Sequence, residues 1–174
     1  MKNASVVNAE TNTFAVFNKI VFHLNEKFFW AGEDIETDLH SGALFKGFEK
    51  KSTGEPQYLG YVLFSDITRD VDEPNVEKLT LLEVDSVEKK MREYIAADFE
   101  VDEFLPAELR TLKTGVDALV SSCVLQSAEA PTVMKSFRFR YDDLNWIAVC
   151  AFHIGRTDDF GAAVEDTIDT AILR

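Results

Sequence analysis

The chain has 174 residues, 46% of them hydrophobic and 28% charged, a composition one folded domain satisfies without staples. Thirty-one acidic residues against 18 basic ones leave a formal net charge of −13. That balance excludes the clustered Lys and Arg that nucleic acid or an anionic membrane demands, and suits solubility or a basic protein partner.

Residues 1–12 are polar and read as a flexible arm, leaving 13–174 as a single α+β domain. The opening "MKNASVVNAETNTFAVF" holds one Lys and no uninterrupted apolar run, so the expected location is the cytoplasm, without secretion signal or membrane anchor. "FAVFNKIVFHLN" reads as one strand, with Phe14, Val16, Ile20, Phe22 and Leu24 on one face. Two further strands, Ala43–Phe48 and Tyr58–Ile67, flank "EKKSTGEP", where Gly54 and Pro56 supply turn chemistry. Lys46, Lys50 and Lys51 beside this hairpin read as guards of an exposed sheet edge.

Between residues 66 and 108 there are fourteen Asp and Glu but five Lys and Arg. Within this region "DSVEKKMREYIAADF" predicts a helix, with Asp85 as its cap, Glu88 three residues on, and an apolar stripe of Val87, Met91, Tyr94 and Ile95. "FEVDEFLPAELRTLKTG" follows as an acidic connector. "VDALVSSCVLQSA" is a predicted strand, "EAP" at 129–131 a turn, and "TVMKSFRFRY" and "LNWIAVCAFHI" two more strands. In the first of these, Arg138 and Arg140 point to one, exposed face, and Phe137, Phe139 and Tyr141 to the other. The last segment, "RTDDFGAAVEDTIDTAIL", predicts a helix capped by Thr157 or Asp158, with Phe160, Val164, Ile168 and Ile172 recurring every four residues. Strands, helix, strands, helix, with several hairpins, make an α+β fold on a mainly antiparallel sheet flanked by helices.

The materials for chemistry do not converge. Cys150 and His153 are three apart on a predicted strand, which sends them to opposite faces. Cys123 and Cys150 sit in apolar runs and read as buried thiols. His23 and His40 are isolated, and no H-x-x-x-H, C-x-x-C or phosphate-cradling glycine motif occurs. "DVDEPNVE" at 70–77 spaces Asp70 and Asp72 like a calcium loop, but Pro74 takes a ligand position and Asn75 the place of the turn glycine. Asp142–Asp143 suits a turn and Asp158–Asp159 a helix start. No catalytic, cofactor-binding or metal-binding residue is nominated, and the chain is not expected to be an enzyme.

The succession of "TLKTGVDALVSSCVL", the paired strands around "FRFRYDDLNWIAVCAFHI" and the closing "DDFGAAVEDTIDTAIL" resembles the PsbP-like superfamily. That group includes the Ran-binding nuclear-import factor of the MOG type and bacterial effector chaperones. The resemblance spans about residues 14–172, with Gly115, Trp146, Phe152 and Phe160 at the turn, hairpin and final-helix positions. It implies an α/β/α sandwich acting as an adaptor or binding module. The lipoprotein signal of many bacterial members is not seen here, and no functional residue carries over.

The function expected from all this is non-catalytic protein binding, as adaptor or chaperone. The nominated contact surface is the acidic stretch from Asp98 to Glu108, through Phe99, Asp102, Glu103, Phe104 and Leu105. One alternative is an acidic inhibitor or immunity protein that imitates nucleic acid. Another is a small enzyme with dispersed catalytic residues.

Overall fold

Phe17 and Asn18 both adopt the left-handed backbone, with φ of 50° and 58°, and so fold the expected first strand into a hairpin. The computed structural model describes residues 1–72, 81–127 and 130–174. It begins with β1 (Ala4–Asn8), β2 (Thr13–Val16) and β3 (Ile20–His23), where β2 and β3 are the two arms of that hairpin. Three residues, Phe17 to Lys19, separate the paired Val16 and Ile20, and an odd number preserves the side-chain alternation. Val16, Ile20, Phe22 and Leu24 therefore share one buried cluster, with Phe14 packed against it. Residues 1–12 are not a loose arm. β1 pairs antiparallel with β2, and Asn3 is buried, its side-chain amide donating to Ile35 O and Gly42 O at 3.0 Å each.

Next come β4 (Phe28–Glu36), β5 (Ser41–Glu49), β6 (Tyr58–Asp66) and the helix α1 (Leu81–Asp98). After α1 the chain forms β7 (Val101–Thr111), β8 (Asp117–Leu125), β9 (Thr132–Tyr141) and β10 (Leu144–His153). Two short helical turns, Ile154–Arg156 and Thr157–Gly161, lead into α2 (Ala162–Asp169) and the short β11 (Ile172–Leu173). The strands form two antiparallel sheets. One runs β1-β2-β3-β11, and the other runs β4-β5-β6-β10-β9-β8-β7. The architecture is α+β. Among the described residues no helix is long and apolar enough to cross a membrane.

Several expectations change with this topology. β5 is internal, between β4 and β6, so Lys46 guards no edge; its ammonium pairs with Glu33 of β4 at 3.3 Å. α1 spans Leu81–Asp98, which puts Asp85 inside the helix as an exposed residue and not at its cap. The acidic connector is the eleven-residue strand β7. α2 ends at Asp169, and the chain then reverses, so Ile172 leaves the helical stripe and pairs with Val21. No side-chain bond caps this final helical region; Thr157 Oγ1 instead donates backwards to Ile154 O at 2.7 Å. The turn expected at 129–131 falls partly outside the described residues.

The large sheet is covered differently on its two faces. On one, Phe160, Val164 and Ile168 join Phe137, Phe139, Trp146, Ala148, Cys150 and Phe152 with the small sheet's Phe22 in the main core. Aromatic contacts knit this layer, with ring centroids 4.6 Å apart for Phe22–Phe64 and 5.0 Å for Phe28–Phe160. On the other face, Met91 and Val84 of α1 pack on Leu119, while Ile95 meets Cys123, Met134, Ile147 and Val149. α1 and α2 therefore lie on opposite faces.

The hairpin of β9 and β10 forms as the sequence predicts. Asp142 and Asp143, with φ of 52° and 59°, make its two-residue turn, and Trp146, Cys150 and Phe152 are fully buried. Arg138 is the exception. It faces the α1 side and is only 3% exposed, with its guanidinium donating to Ser136 Oγ at 2.9 Å. Alternation separated it correctly from the phenylalanines, but that face is roofed by a helix and not by water.

Candidate functional site

The α1 side of the large sheet divides into two halves. Over β7, β8 and β9 the helix presses directly on the strands, and Leu119, Ser121, Cys123, Met134, Ser136 and Arg138 are all buried. Over β4, β5 and β6 the same face is part-exposed. Ile35, Leu44, Phe48, Tyr61 and Leu63 are half-buried, and Phe29 and Tyr58 are 54% and 41% exposed. The register places all seven of these side chains on the α1 side.

A bulge builds the outer end of this open half. Gly60 adopts φ +152°, and a Cβ there would lie 1.9 Å from Ala151 O, so only glycine lets β6 approach β10. Phe48 then pairs with Tyr58, skipping Leu59, which turns into the main core. The result is an aromatic ladder. Phe48 lies between Phe29 and Tyr58, with centroid distances of 6.2 Å and 5.8 Å.

Where the halves meet, a groove of about 110 Å³ runs between α1 and the sheet. Tyr94, Ile95 and Phe99 form its helical wall, and Met134, Ile147 and Val149 its floor. Arg138, Ser136 and Asp98 supply the polar part of the lining, and Ser136 Oγ is 2.5 Å from Ser121 Oγ. Tyr61 stands on the open side, its hydroxyl 4.0 Å from Met134 Sδ, and burial pushes this phenol up to about 12. The lining is apolar with a few convergent polar groups, the pattern of a recognition groove.

The five nominated residues do not form one surface. Phe99, 48% exposed, lies just beyond α1 and walls the groove. Phe104 is half-buried beneath the flank of α1, with the Arg92 guanidinium 5.3 Å from its ring centroid. Asp102 accepts a hydrogen bond from the Gln126 side chain. Glu103 and Leu105 are exposed, and Leu105 alternates to the face opposite Phe104. β7 is bulged along this stretch. Its two register shifts each add a residue, so Val101, Phe104 and Ala107, three apart, all face α1. The open-half residues Phe29, Phe48, Tyr58, Tyr61 and Leu63 were not nominated. Their local signal is only the aromatic content of three successive segments, Phe28–Trp30, Phe45–Phe48 and Tyr58–Phe64.

The sites of potential chemistry remain dispersed. Cys150 belongs to the main core, and His153 lies on the other face of β10 with Nδ1 buried and no partner among the described residues. Both thiols are free and buried, and burial raises Cys123 to about 11 and Cys150 higher still. Asp70, from the calcium-like segment, is buried beside His40, with Oδ2 2.8 Å from His40 Nε2. Residues 73–77 of that segment lie outside the described residues. Arg156 borders a second concavity with His153 and Gln57, but Asp159 and Glu49 already engage its guanidinium at 2.6 Å and 3.5 Å. These carboxylates raise Arg156, and the same contact lowers Asp159. Among the described residues no three His, Cys, Asp or Glu side chains are grouped to hold a metal ion.

No family model matches the chain, and no curated protein sequence matches it.

Proposed function

We propose that the chain is a non-catalytic protein-binding module, an adaptor or chaperone working in the cytoplasm, whose partner lies on the open half of the sheet and in the groove beside α1. The observation that carries this reading is the part-exposed aromatic ladder Phe29–Phe48–Tyr58, continuous through Tyr61 and Leu63 with the groove at Phe99. Rigid aromatic side chains on a strand scaffold offer large contact area at low ordering cost.

The rim sets the partner's charge. Asp98 lines the groove, and the last turn of α1 carries no basic residue to offset its negative pole. A partner that combines apolar side chains with Lys or Arg fits this surface better than an acidic one. Nucleic-acid imitation is less well supported. Many carboxylates are spent on bases spread around the molecule, including Glu88–Arg92, Glu165–Lys135, Lys113 with Asp166 and Asp169, and Lys19–Asp142.

Affinity capture from native lysate tests the reading with two altered proteins. Phe48→Asp with Tyr61→Asp in the open half is expected to abolish capture. Charge reversal at Asp102 and Glu103 is expected to reduce it weakly and in a salt-dependent manner. Capture lost only in the charge-reversed protein would overturn the open-half reading.

A further inference from the structure

The two edges of the seven-stranded sheet, β4 and β7, are finished differently. β7 carries two register shifts, Pro106, and the exposed carboxylates Asp102, Glu103 and Glu108, all features that deter strand addition. β4 keeps nine residues in unbroken register with β5, and Ala31, Gly32 and Glu33 at its centre are exposed. The bond from Thr37 N to His40 O, 2.8 Å, fixes the phase of the β4–β5 ladder. Alternation then turns the backbone N–H and C=O of Trp30, Gly32 and Asp34 away from β5, towards the free edge. A flat edge of this kind, unbulged and without proline, is a template for another strand.

We propose that β4 pairs antiparallel with β4 of a second copy of this chain, about a two-fold axis through Gly32. This register alone matches all nine residues of both strands. It sets Gly32 against Gly32, Trp30 against Asp34 and Phe28 against Glu36 on one face. On the α1 face it sets Phe29 against Ile35 and Ala31 against Glu33. No two carboxylates stand directly opposite. Of the acidic groups nearest the axis, Glu33 is paired with Lys46 at 3.3 Å, and Asp34 accepts the backbone N–H groups of Lys2 and Asn3 at 2.6 Å and 2.9 Å. The strand can thus meet its copy without directly opposed carboxylates, with the Met1 side chain of each copy lying against the core-facing side of Gly32.

The axis stands perpendicular to the sheet, so both copies present the same face to the same side. The open halves then join into one six-stranded floor with an α1 helix along each far side. The pairing is independent of whether a third protein binds that floor, so the two proposals fail separately.

Sedimentation equilibrium of the full chain, from low micromolar to several hundred micromolar, tests it. A monomer–dimer equilibrium is expected, tightened by salt because each copy carries −13. Ala31 is exposed, so substitutions there leave the fold intact, which circular dichroism verifies. Ala31→Glu puts a carboxylate opposite Glu33 twice per dimer and is expected to weaken dissociation constants about tenfold. Ala31→Lys puts an ammonium there and is expected to tighten the dimer by a comparable factor. A chain that stays monomeric throughout, or a dimer indifferent to both substitutions, overturns the proposal.

Discussion

The two halves of the α1 face are built by the same alternation in different strands and end in opposite states. Over β7–β9, Leu119, Cys123 and Met134 are sealed by Met91 and Ile95. Over β4–β6, Phe29, Phe48 and Tyr58 are left part-exposed. The first half spends its apolar surface on stability, and the second retains it. This part-exposed apolar surface on a strongly charged chain is what the proposed contact rests on. The difference lies in where one helix docks, not in the strands.

The comparison can be broken most forcefully at Met91, 1% exposed at the centre of the covered half. Met91→Ala is expected to cost about 2–5 kcal/mol in urea unfolding. It should also slow no association event beyond the loss of folded protein. A cost near zero would mean that α1 is not the seal described.

Alkaline pH acts next, and through the buried thiols. The fold holds Cys123 protonated with its pKa raised from an ordinary 9.0 to about 11, so the folded state binds a proton that the unfolded chain has released. That contribution is intact below pH 9 and disappears as pH rises through 11. Unfolding free energy is therefore expected to fall across this window, and Cys123→Ala to flatten the fall relative to the parent protein. Stability constant up to pH 11 would contradict the burial of this thiol.

Smaller effects sharpen the contrast. Phe29→Ser, in the open half, is expected to change stability by no more than about 0.5 kcal/mol while impairing partner capture. Smallest of all, Glu88→Gln removes the ion pair with Arg92 on the flank of α1 beside β7, an i,i+4 contact that contributes about 0.3–0.5 kcal/mol in helices. Thermal unfolding in low and high salt should show that difference shrinking as ions screen it.

Much of the framework was legible in particular residues. The runs around Ala43–Phe48, Tyr58–Ile67 and "LNWIAVCAFHI" announce strands because both of their faces are largely apolar and β-prone. The Phe160, Val164 and Ile168 stripe announces α2. β4 was not legible, because Gly32, Glu33, Asp34 and Glu36 interrupt the apolar pattern of an edge strand that water reaches. The turn at Phe17–Asn18 carries no glycine, so its left-handed backbone is signalled by Asn18 alone. β7 hides its strand nature because two bulges replace a period of two by one of three. Of the site, Phe99 was readable as an exposed aromatic beside a helix end. The ladder of Phe29, Phe48 and Tyr58 was not, because its exposure depends on α1 docking over β7–β9, a long-range fact no local pattern records.

Site-specific photocrosslinking tests the central claim most directly, with a photoreactive phenylalanine analogue placed in cells at Phe48 and, separately, at the exposed Leu109 of β7. A discrete adduct to another protein from position 48, with none from position 109, is the predicted result. Adducts from position 109 alone would contradict the account and move the contact surface to the β7 edge.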